Sequence, residues 1–125
     1  MPKQSILIAE DDPCLRAAYE RRFRRLSFNV HVVEDGEQAL KFIEHSPPDL
    51  FICDIMMPKL DGWGVLSKLT KEKRPFPVIM LTNLEDDKTR QTCKDMCVDG
   101  HLIKREMSLA SLCTLVNALL KQRSE

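Results

Sequence analysis

Five short runs of apolar residues recur along the chain, each separated from the next by a longer segment with an amphipathic pattern. The run at 50–54 is apolar up to its last residue, Asp54, and it lies between Pro48 and Pro58. Continuous runs of this length are typical of strands that are covered on both faces. The pattern therefore predicts strands at 5–9, 29–33, 50–54, 78–81 and 101–103.

Helical periodicity and capping residues predict a helix after each strand. Asp12 and Pro13 suit the start of the first helix, because aspartate caps helix N-termini and proline fits the first turn. Asp35 and Gln38 have the spacing of a capping box, and Ser108 is a candidate cap for the last helix. The predicted helices cover 13–26, 36–45, 62–71, 85–97 and the segment after 108.

The first helix has one apolar and one basic side. Four apolar residues recur at helical spacing and are expected to face the core: Leu15, Tyr19, Phe23 and Leu26. The helix also carries five arginines: Arg16, Arg21, Arg22, Arg24 and Arg25. These arginines form either a solvated face or a docking surface for an acidic partner. The fourth helix is polar for a core helix, and we expect it to pack loosely and to be the most mobile.

Alternation of strand and helix five times over predicts an α/β fold with three layers. Apolar strands linked by helical crossovers favour a doubly wound parallel sheet with right-handed connections and the strand order 2-1-3-4-5. The sequence shows no internal repeat or linker. We therefore expect residues 1–125 to form one domain.

Composition narrows the function classes. Of the 125 residues, 43% are apolar and 30% are charged, with a formal net charge of zero, so nothing global points to nucleic acid or a membrane surface. The absence of a long apolar stretch makes a cytoplasmic protein the default expectation. The five cysteines are expected to be reduced, and a metal site at Cys93 and Cys97 would need more ligands than the sequence offers nearby.

Polar and charged residues follow four of the predicted strands. Glu10 and Asp11 follow the first, Asp54 ends the third, Thr82 follows the fourth and Lys104 follows the fifth. With strands 1, 3, 4 and 5 adjacent, these groups converge on the edge where open α/β sheets bind ligands. Taken alone, Asp54 could equally open a turn; the other three strands favour a site.

Three clustered carboxylates repel one another, and a hard divalent cation relieves that repulsion. Few protein ligands, with room for water and phosphate oxygens, favour Mg²⁺. Lys104 and Thr82 would meet phosphate oxygens, and Asp54 would be a nucleophile that forms an acyl phosphate.

The order and spacing of four segments resemble those of the receiver domain of two-component response regulators. Such domains have a flavodoxin-like fold, as in the chemotaxis-regulator-like receivers. The resemblance covers essentially the whole chain, and it is carried by segments 6–12, 49–62, 81–82 and 102–104. It implies that Asp54 is the phosphoacceptor, that Thr82 hydrogen-bonds the phosphoryl group and that Lys104 pairs with it.

The resemblance also implies a magnesium site. Asp11 matches the direct ligand of the acidic pair, and Glu10 would act through water. Asp54 and the backbone carbonyl of Met56 would complete the protein ligands.

Three positions depart from the usual receiver pattern. His101 stands at the switch position, commonly Tyr or Phe, and could make coupling to the helix 4–strand 5–helix 5 face weaker or pH-dependent. Arg105 replaces the usual proline after a cis bond, so we expect a trans bond here and a locally altered loop. Asn83 replaces a small residue and could crowd access to the phosphoryl group.

Two apolar residues lie at positions that flank the path of the hydrolytic water in the family. Met56 comes two residues after Asp54, and Leu84 two residues after Thr82. We expect them to lengthen the lifetime of the phosphorylated state.

The leading functional interpretation is a phosphorylation-controlled signalling switch, not a conventional enzyme. Its phosphodonor would be a histidine kinase or a histidine phosphotransfer protein, and its recipient a downstream effector or a lost output domain. No direct contact with nucleic acid or membrane is expected, and family analogy allows a dimer through helix 4–strand 5–helix 5. The Met1 start favours a free or N-terminal receiver.

Two other interpretations remain. A degenerate receiver would act as a phosphorylation-independent interaction module, which the departures at His101, Asn83 and Arg105 support. A phosphatase with an aspartyl nucleophile, as in haloacid dehalogenase-like enzymes, needs an Asp-x-Asp pair after the first strand; here Asp54 follows the third strand and Met56 takes the second position.

Overall fold

The computed structural model describes residues 3–69, 74–84 and 86–124, in which strands and helices alternate along the chain. The strands are β1 (Ser5–Ala9), β2 (Asn29–Val33), β3 (Leu50–Asp54), β4 (Val78–Thr82) and β5 (Gly100–Ile103). The helices are α1 (Pro13–Arg25), α2 (Gly36–His45), α3 (Gly62–Lys68), α4 (Asp87–Asp95) and α5 (Leu109–Ser124).

The strands form one parallel sheet in the order β2-β1-β3-β4-β5, which confirms the predicted doubly wound, flavodoxin-like fold. Side chains of the central strands alternate between two apolar clusters, one on each face of the sheet. In β3, for example, Phe51 and Cys53 enter one cluster while Leu50 and Ile52 enter the other. The functional edge of the sheet is therefore supported by a core on both sides.

The cap residues Asp12 and Asp35 are confirmed, but the second helix lacks the return bond of a capping box. The Asp12 carboxylate accepts hydrogen bonds from the N–H groups of Cys14 and Leu15 at the start of α1. Asp35 accepts from the N–H of Gln38, whose side-chain oxygen accepts from the N–H of Glu34, the residue before the cap. The bonds to Asp12 and Asp35 satisfy N–H groups that a helix terminus leaves without an intrahelical partner.

Ser108 caps α5 through a reciprocal pair. Its hydroxyl accepts a hydrogen bond from the N–H of Ser111, and the Ser111 hydroxyl oxygen accepts from the N–H of Ser108, both at 3.0 Å. The prediction of Ser108 as the cap is therefore confirmed.

Helices α1 and α3 end earlier than the sequence predicts. Leu26 is 46% exposed instead of facing the core, because α1 ends at Arg25 and Ser27 takes a positive φ of 68°. Helix α3 ends at Lys68, and residues 70 and 71 of its predicted span lie outside the described residues.

Helix α4 is also shorter than predicted. It begins at Asp87 with Asp86 as its cap, and position 85 lies outside the described residues. It ends at Asp95, because Cys97 takes a left-handed φ of 57° two residues later. Of its nine residues, Thr89 and Cys93 are buried, so the helix contributes little to the core, as its polar sequence indicated.

A buried cation holds the C-terminal end of α4. Arg74 is 6% exposed, and its guanidinium donates hydrogen bonds to the carbonyl oxygens of Met96 and Cys97, the latter at 3.0 Å. Carbonyls at a helix C-terminus lack intrahelical partners and carry partial negative charge, so a cation suits this position.

A membrane-spanning role finds no support among the described helices, since none combines the length and apolar character that crossing a bilayer requires.

Candidate functional site

The carboxyl ends of four neighbouring strands bring the predicted site residues to one edge of the sheet. Glu10 and Asp11 follow β1, Asp54 ends β3, Thr82 ends β4 and Lys104 follows β5. Parallel pairing places the ends of neighbouring strands at similar heights along the strand direction. The N–H of Lys104, for example, donates to the carbonyl oxygen of Thr82 at 2.8 Å, just beyond the last β4–β5 pair. The placement inferred from the sequence is therefore observed, while the role of each residue stays a prediction.

Lys104 is the central cation of the site. Its Nζ lies 2.7 Å from Glu10 Oε1 and 3.0 Å from Asp54 Oδ2, and its side chain is 14% exposed. Burial alone lowers the pKa of Lys104, but the two carboxylates outweigh burial, so the net shift is upward. The ammonium group therefore stays charged and compensates two carboxylates at once.

Glu10 is fully buried, which changes its titration. Burial raises its pKa to about 7; Lys104 partly opposes this rise, and the negative charge of Asp54 adds to it. The other carboxylate oxygen of Glu10, Oε2, accepts a hydrogen bond from the N–H of Asp12 at 3.2 Å. At neutral pH Glu10 thus lies close to its midpoint between the charged and neutral forms.

The carboxylates of Glu10, Asp11 and Asp54 form a cluster suited to a hard cation. One oxygen from each residue can be chosen so that all three lie within 4.8 Å of one another. Asp11 is exposed, while Glu10 and Asp54 are buried. An ion bound to the cluster would therefore be open to water on the side of Asp11. Oxygen ligands with room for water are what Mg²⁺ requires. Its charge would relieve the repulsion from Asp54, which adds to the effect of burial in raising the pKa of Glu10.

Asp54 and Thr82 are almost fully buried, with exposed fractions of 3% and 1%. The two carboxylate oxygens of Asp54 have different partners: Oδ1 accepts from the N–H of Met56 at 3.2 Å, and Oδ2 accepts from Lys104 Nζ. Thr82 Oγ1 accepts from the N–H of Leu84 at 3.0 Å, which leaves the hydroxyl hydrogen able to donate. The side chains are thereby oriented before any ligand arrives.

A cavity of about 360 Å³ opens onto these groups. Its lining residues are Asp11, Asp12, Asp54, Met56, Thr82, Asn83, Leu84 and Lys104. Met56 is 63% exposed and Leu84 is 40% exposed, so two large apolar side chains stand at the cavity while open to solvent. The assignment of the Met56 carbonyl as a metal ligand stays a prediction.

Arg16 has a supporting role that sequence reasoning missed. It was grouped with the exposed arginines of α1, but its side chain is only 19% exposed. Its Nη1 donates to the carbonyl oxygens of Glu10 and Asp11 at 3.0 and 3.4 Å, and its Nη2 lies 3.6 Å from Glu34 Oε1. The sequence does offer one indication of this role. Arg16 lies in the first turns of α1, from which a long side chain can fold back over the loop that carries Glu10 and Asp11, called the acidic loop below.

His101 lies on β5 opposite Met80 of β4 and is half-buried. Burial lowers the pKa of His101, and the positive charge of Arg90 lowers it further. Its Nε2 is buried and has no hydrogen-bond partner within the described part of the chain. The side chain borders a cavity of about 250 Å³ lined by Arg90, Cys93, Lys94, Val98, Gly100 and His101.

The Lys104–Arg105 bond is trans, as predicted, since the described backbone contains no cis peptide. The altered loop has a specific contact that the sequence did not predict. The N–H of Arg105 donates to Asn83 Oδ1 at 2.9 Å, so Asn83 lines the cavity while its side chain is engaged with the neighbouring loop.

The strand order, together with an acidic cavity and a lysine at the carboxyl edge, defines a doubly wound α/β domain of the receiver class. Residues 6–117 match the family model for the response regulator receiver domain, and the chain belongs to this family. Members of the family are regulatory domains of two-component systems and not conventional enzymes.

Among curated proteins, the chain is 38% identical over 104 residues to the "probable transcriptional regulator ycf27" of Porphyridium aerugineum; the alignment covers 83% of this chain and 43% of that protein. It is 32% identical over 101 residues to the alkaline phosphatase synthesis transcriptional regulatory protein PhoP of Bacillus subtilis (strain 168), covering 81% of this chain and 42% of PhoP. The chain thus spans roughly two fifths of the length of these curated relatives.

Solved structures of receiver domains are also similar to this chain. The receiver domain of the Francisella response regulator 1452 is 30% identical, with a TM-score of 0.89, and the match covers 96% of this chain and 98% of that one. The receiver domain of sensor histidine kinase PA1611 from Pseudomonas aeruginosa PAO1, which has a magnesium ion coordinated in its active-site cleft, is 27% identical with a TM-score of 0.85. That match covers 96% of this chain and 99% of the other.

Proposed function

We propose that this chain is a phosphorylation-controlled switch of a two-component phosphorelay, with Asp54 as the phosphoacceptor. One observation carries the proposal: a single half-buried lysine, Lys104, contacts both Asp54 and Glu10 beside an exposed acidic residue, Asp11. A salt bridge with a purely structural role would need only one carboxylate and no cavity beside it. The arrangement suits a site that must neutralise a phosphoryl group as well as its own carboxylates.

In the proposed reaction, a carboxylate oxygen of Asp54 attacks phosphorus. One O–P bond forms, the P–N bond of a phosphohistidine donor breaks, and the bonding electron pair returns to the imidazole nitrogen. Lys104 pairs with the negative phosphoryl oxygens, and the hydroxyl of Thr82 donates a hydrogen bond to one of them. These groups act by alignment and charge neutralisation.

The magnesium ligands are proposed from this chain's own residues. Asp11 and Asp54 would bind the ion directly, Glu10 would act through water, and the Met56 carbonyl would complete the protein ligands. Bound there, Mg²⁺ would supply positive charge to the transferring phosphoryl oxygens.

Partners follow from the same proposal. A histidine kinase or a histidine phosphotransfer protein would donate the phosphoryl group, and a downstream effector or an output domain outside this chain would receive the signal. We propose residues 1–125 as a single cytoplasmic receiver domain that makes no direct contact with nucleic acid or membrane. Dimerisation through the α4–β5–α5 face is part of the proposal.

A second candidate is a phosphorylation-independent interaction module. It is favoured by His101, which differs from the usual aromatic switch residue: its pKa is lowered, and its Nε2 has no hydrogen-bond partner among the described residues. Such a module needs neither magnesium nor acyl-phosphate formation, so both properties discriminate between the candidates.

Incubation with Mg²⁺ and acetyl phosphate, followed by intact-mass measurement, tests the proposal. We expect one added phosphoryl group that is absent without Mg²⁺ and absent from Asp54→Asn. Magnesium binding can be followed separately through the fluorescence of Trp63. No added mass in the wild-type protein under these conditions would favour the interaction module instead.

A further inference from the structure

Asn83 and Arg105, two of the departures from the usual receiver pattern, contact each other directly. The backbone N–H of Arg105 donates to Asn83 Oδ1 at 2.9 Å, and Arg105 Nη1 donates to the Asn83 carbonyl oxygen at 3.2 Å. Proline at position 105 would have no N–H, and alanine at position 83 would have no side-chain acceptor. The backbone-to-side-chain bond therefore requires both departures together.

This contact lies directly beyond the end of the β4–β5 pairing. The last β4–β5 pair joins Thr82 with Ile103, and the N–H of Lys104 then donates to the Thr82 carbonyl oxygen at 2.8 Å. The Asn83 side chain accepts the next N–H along the chain, that of Arg105. The main chain of Lys104 is consequently held on both sides.

The two loops that leave the site are joined by the same contact. On one loop, the N–H of Leu84 donates to Thr82 Oγ1. On the other, the N–H groups of Glu106 and Met107 both donate to the carbonyl oxygen of Ile103 at 3.0 Å, which forms a tight turn. Each loop is ordered within itself, and the Asn83–Arg105 contact fixes one relative to the other.

We propose that Asn83 and Arg105 are positioning residues, which together clamp Thr82 and Lys104 at the spacing that a phosphoryl group on Asp54 requires. Neither residue touches the reacting atoms in this role. Because Lys104 Nζ contacts both Asp54 and Glu10, a shift of its main chain would change the geometry of both contacts. This inference rests on the proposed function of Asp54.

The alternative role for Asn83 is simple crowding of the cavity that it lines. The two roles predict opposite effects of Asn83→Ala on the rate at which acetyl phosphate, with saturating Mg²⁺, phosphorylates Asp54. A clamp predicts a slower reaction, by roughly threefold to thirtyfold, because misplaced catalytic groups lose alignment. Crowding predicts a faster one.

A double-mutant cycle identifies the partner. Arg105→Pro removes the N–H donor, and Arg105→Lys keeps it while removing the guanidinium. We expect Arg105→Pro to slow phosphorylation as Asn83→Ala does, the double variant to be no slower than either single variant, and Arg105→Lys to stay close to the wild-type rate.

Two further measurements separate positioning from general loss of structure. Asn83 and Arg105 are both exposed, so thermal stability should change little in Asn83→Ala, while amide hydrogen exchange at Arg105 should accelerate. Lys88→Ala, which removes an exposed lysine on α4, serves as the control and should leave the phosphorylation rate unchanged.

The outcomes are distinct. If the wild-type protein accepts a phosphoryl group and Asn83→Ala reacts equally fast or faster, the clamp is wrong while the proposed function stands. Additive effects in the double variant would likewise overturn it. If the wild-type protein itself accepts no phosphoryl group, the proposed function fails and the clamp fails with it.

Discussion

Lys104 Nζ lies closer to Glu10 than to Asp54, at 2.7 Å against 3.0 Å. The lysine is therefore shared between the proposed phosphoacceptor and Glu10, a buried carboxylate of the proposed metal site. Its removal leaves two buried carboxylates without their cation, and that consequence can be measured apart from phosphorylation.

Lys104→Met should destabilise the protein by about 3 kcal/mol in the absence of Mg²⁺, because removing one partner leaves buried charge uncompensated. The loss should shrink when Mg²⁺ is added, since the ion replaces the missing positive charge. Urea unfolding with EDTA and with Mg²⁺ measures both values. Lys59→Met is the control: Lys59 Nζ lies 3.8 Å from Asp35 Oδ2 and its side chain is 63% exposed, so less than about 1 kcal/mol should be lost.

The raised pKa of Glu10 predicts a pH dependence of stability in the metal-free protein. The pKa is about 7 in the folded state against 4.5 for the unperturbed group, so the folded state binds more protons between these values. The contribution of Glu10 to the free energy of unfolding is then present below pH 4.5 and falls as pH rises toward 7. Glu10→Gln should remove this component, which the difference between the two pH profiles isolates.

In the proposed metal site, the same proton would compete with magnesium. Affinity for Mg²⁺ should rise as pH increases through about 7, where Glu10 loses its proton, and should level off above that pH. Titrations followed by Trp63 fluorescence provide the affinities. Equal affinity on both sides of this pH would contradict the assignment of Glu10 to the metal site.

Met56 and Leu84 should protect the aspartyl phosphate from hydrolysis. Both side chains are large, apolar and exposed at the cavity, so replacing both with asparagine should admit water and shorten the phosphate half-life several-fold. Decay of the phosphorylated mass after removal of acetyl phosphate, with Mg²⁺ kept in the buffer, measures the half-life. Leu26→Asn changes a comparably exposed apolar residue at the end of α1 and should leave the half-life unaltered.

His101 should titrate below its ordinary pKa of 6.5, because burial and Arg90 both disfavour the imidazolium. Since the unfolded state then binds the proton more tightly, the contribution of His101 to stability is present above pH 6.5 and is lost as pH falls through the lowered pKa. NMR titration of the imidazole gives its midpoint.

Coupling through His101 is a separate question. A lowered pKa means that the ring is neutral at neutral pH, so any pH dependence of partner binding through His101 belongs on the acidic side. His101→Tyr should remove that dependence. Identical partner affinities and identical pH profiles in the two proteins would show that the departure from an aromatic residue has no effect on coupling.

Strand positions and site placement could be predicted from the sequence because buried parallel strands leave a strong apolar signal. Residues such as Asp54 and Thr82 stand where that signal stops, so their convergence follows from strand order alone. The prediction that Leu26 faces the core was wrong, because periodicity does not show where a helix ends and the apolar side chain of Leu26 fitted the pattern of α1.

Long polar side chains were the other source of error. The composition of α1 made Arg16 equivalent to its neighbours, and only the path of the chain reveals that its guanidinium folds back onto the acidic loop. Asn83 and Arg105 were noticed separately as departures. Their contact spans 22 positions in the chain, and no local pattern reports a pairing over such a distance.

The anchoring of α4 by Arg74 determines how that helix can be displaced. Its C-terminal end is held through the carbonyls of Met96 and Cys97, while its buried face consists of Thr89 and Cys93. A body fixed at one end and weakly held along its length rotates about the fixed end, and its free end travels farthest. The free end of α4 follows the loop of Asn83 and Leu84, so a shift at the cavity would displace this end of the helix most and the anchored end least.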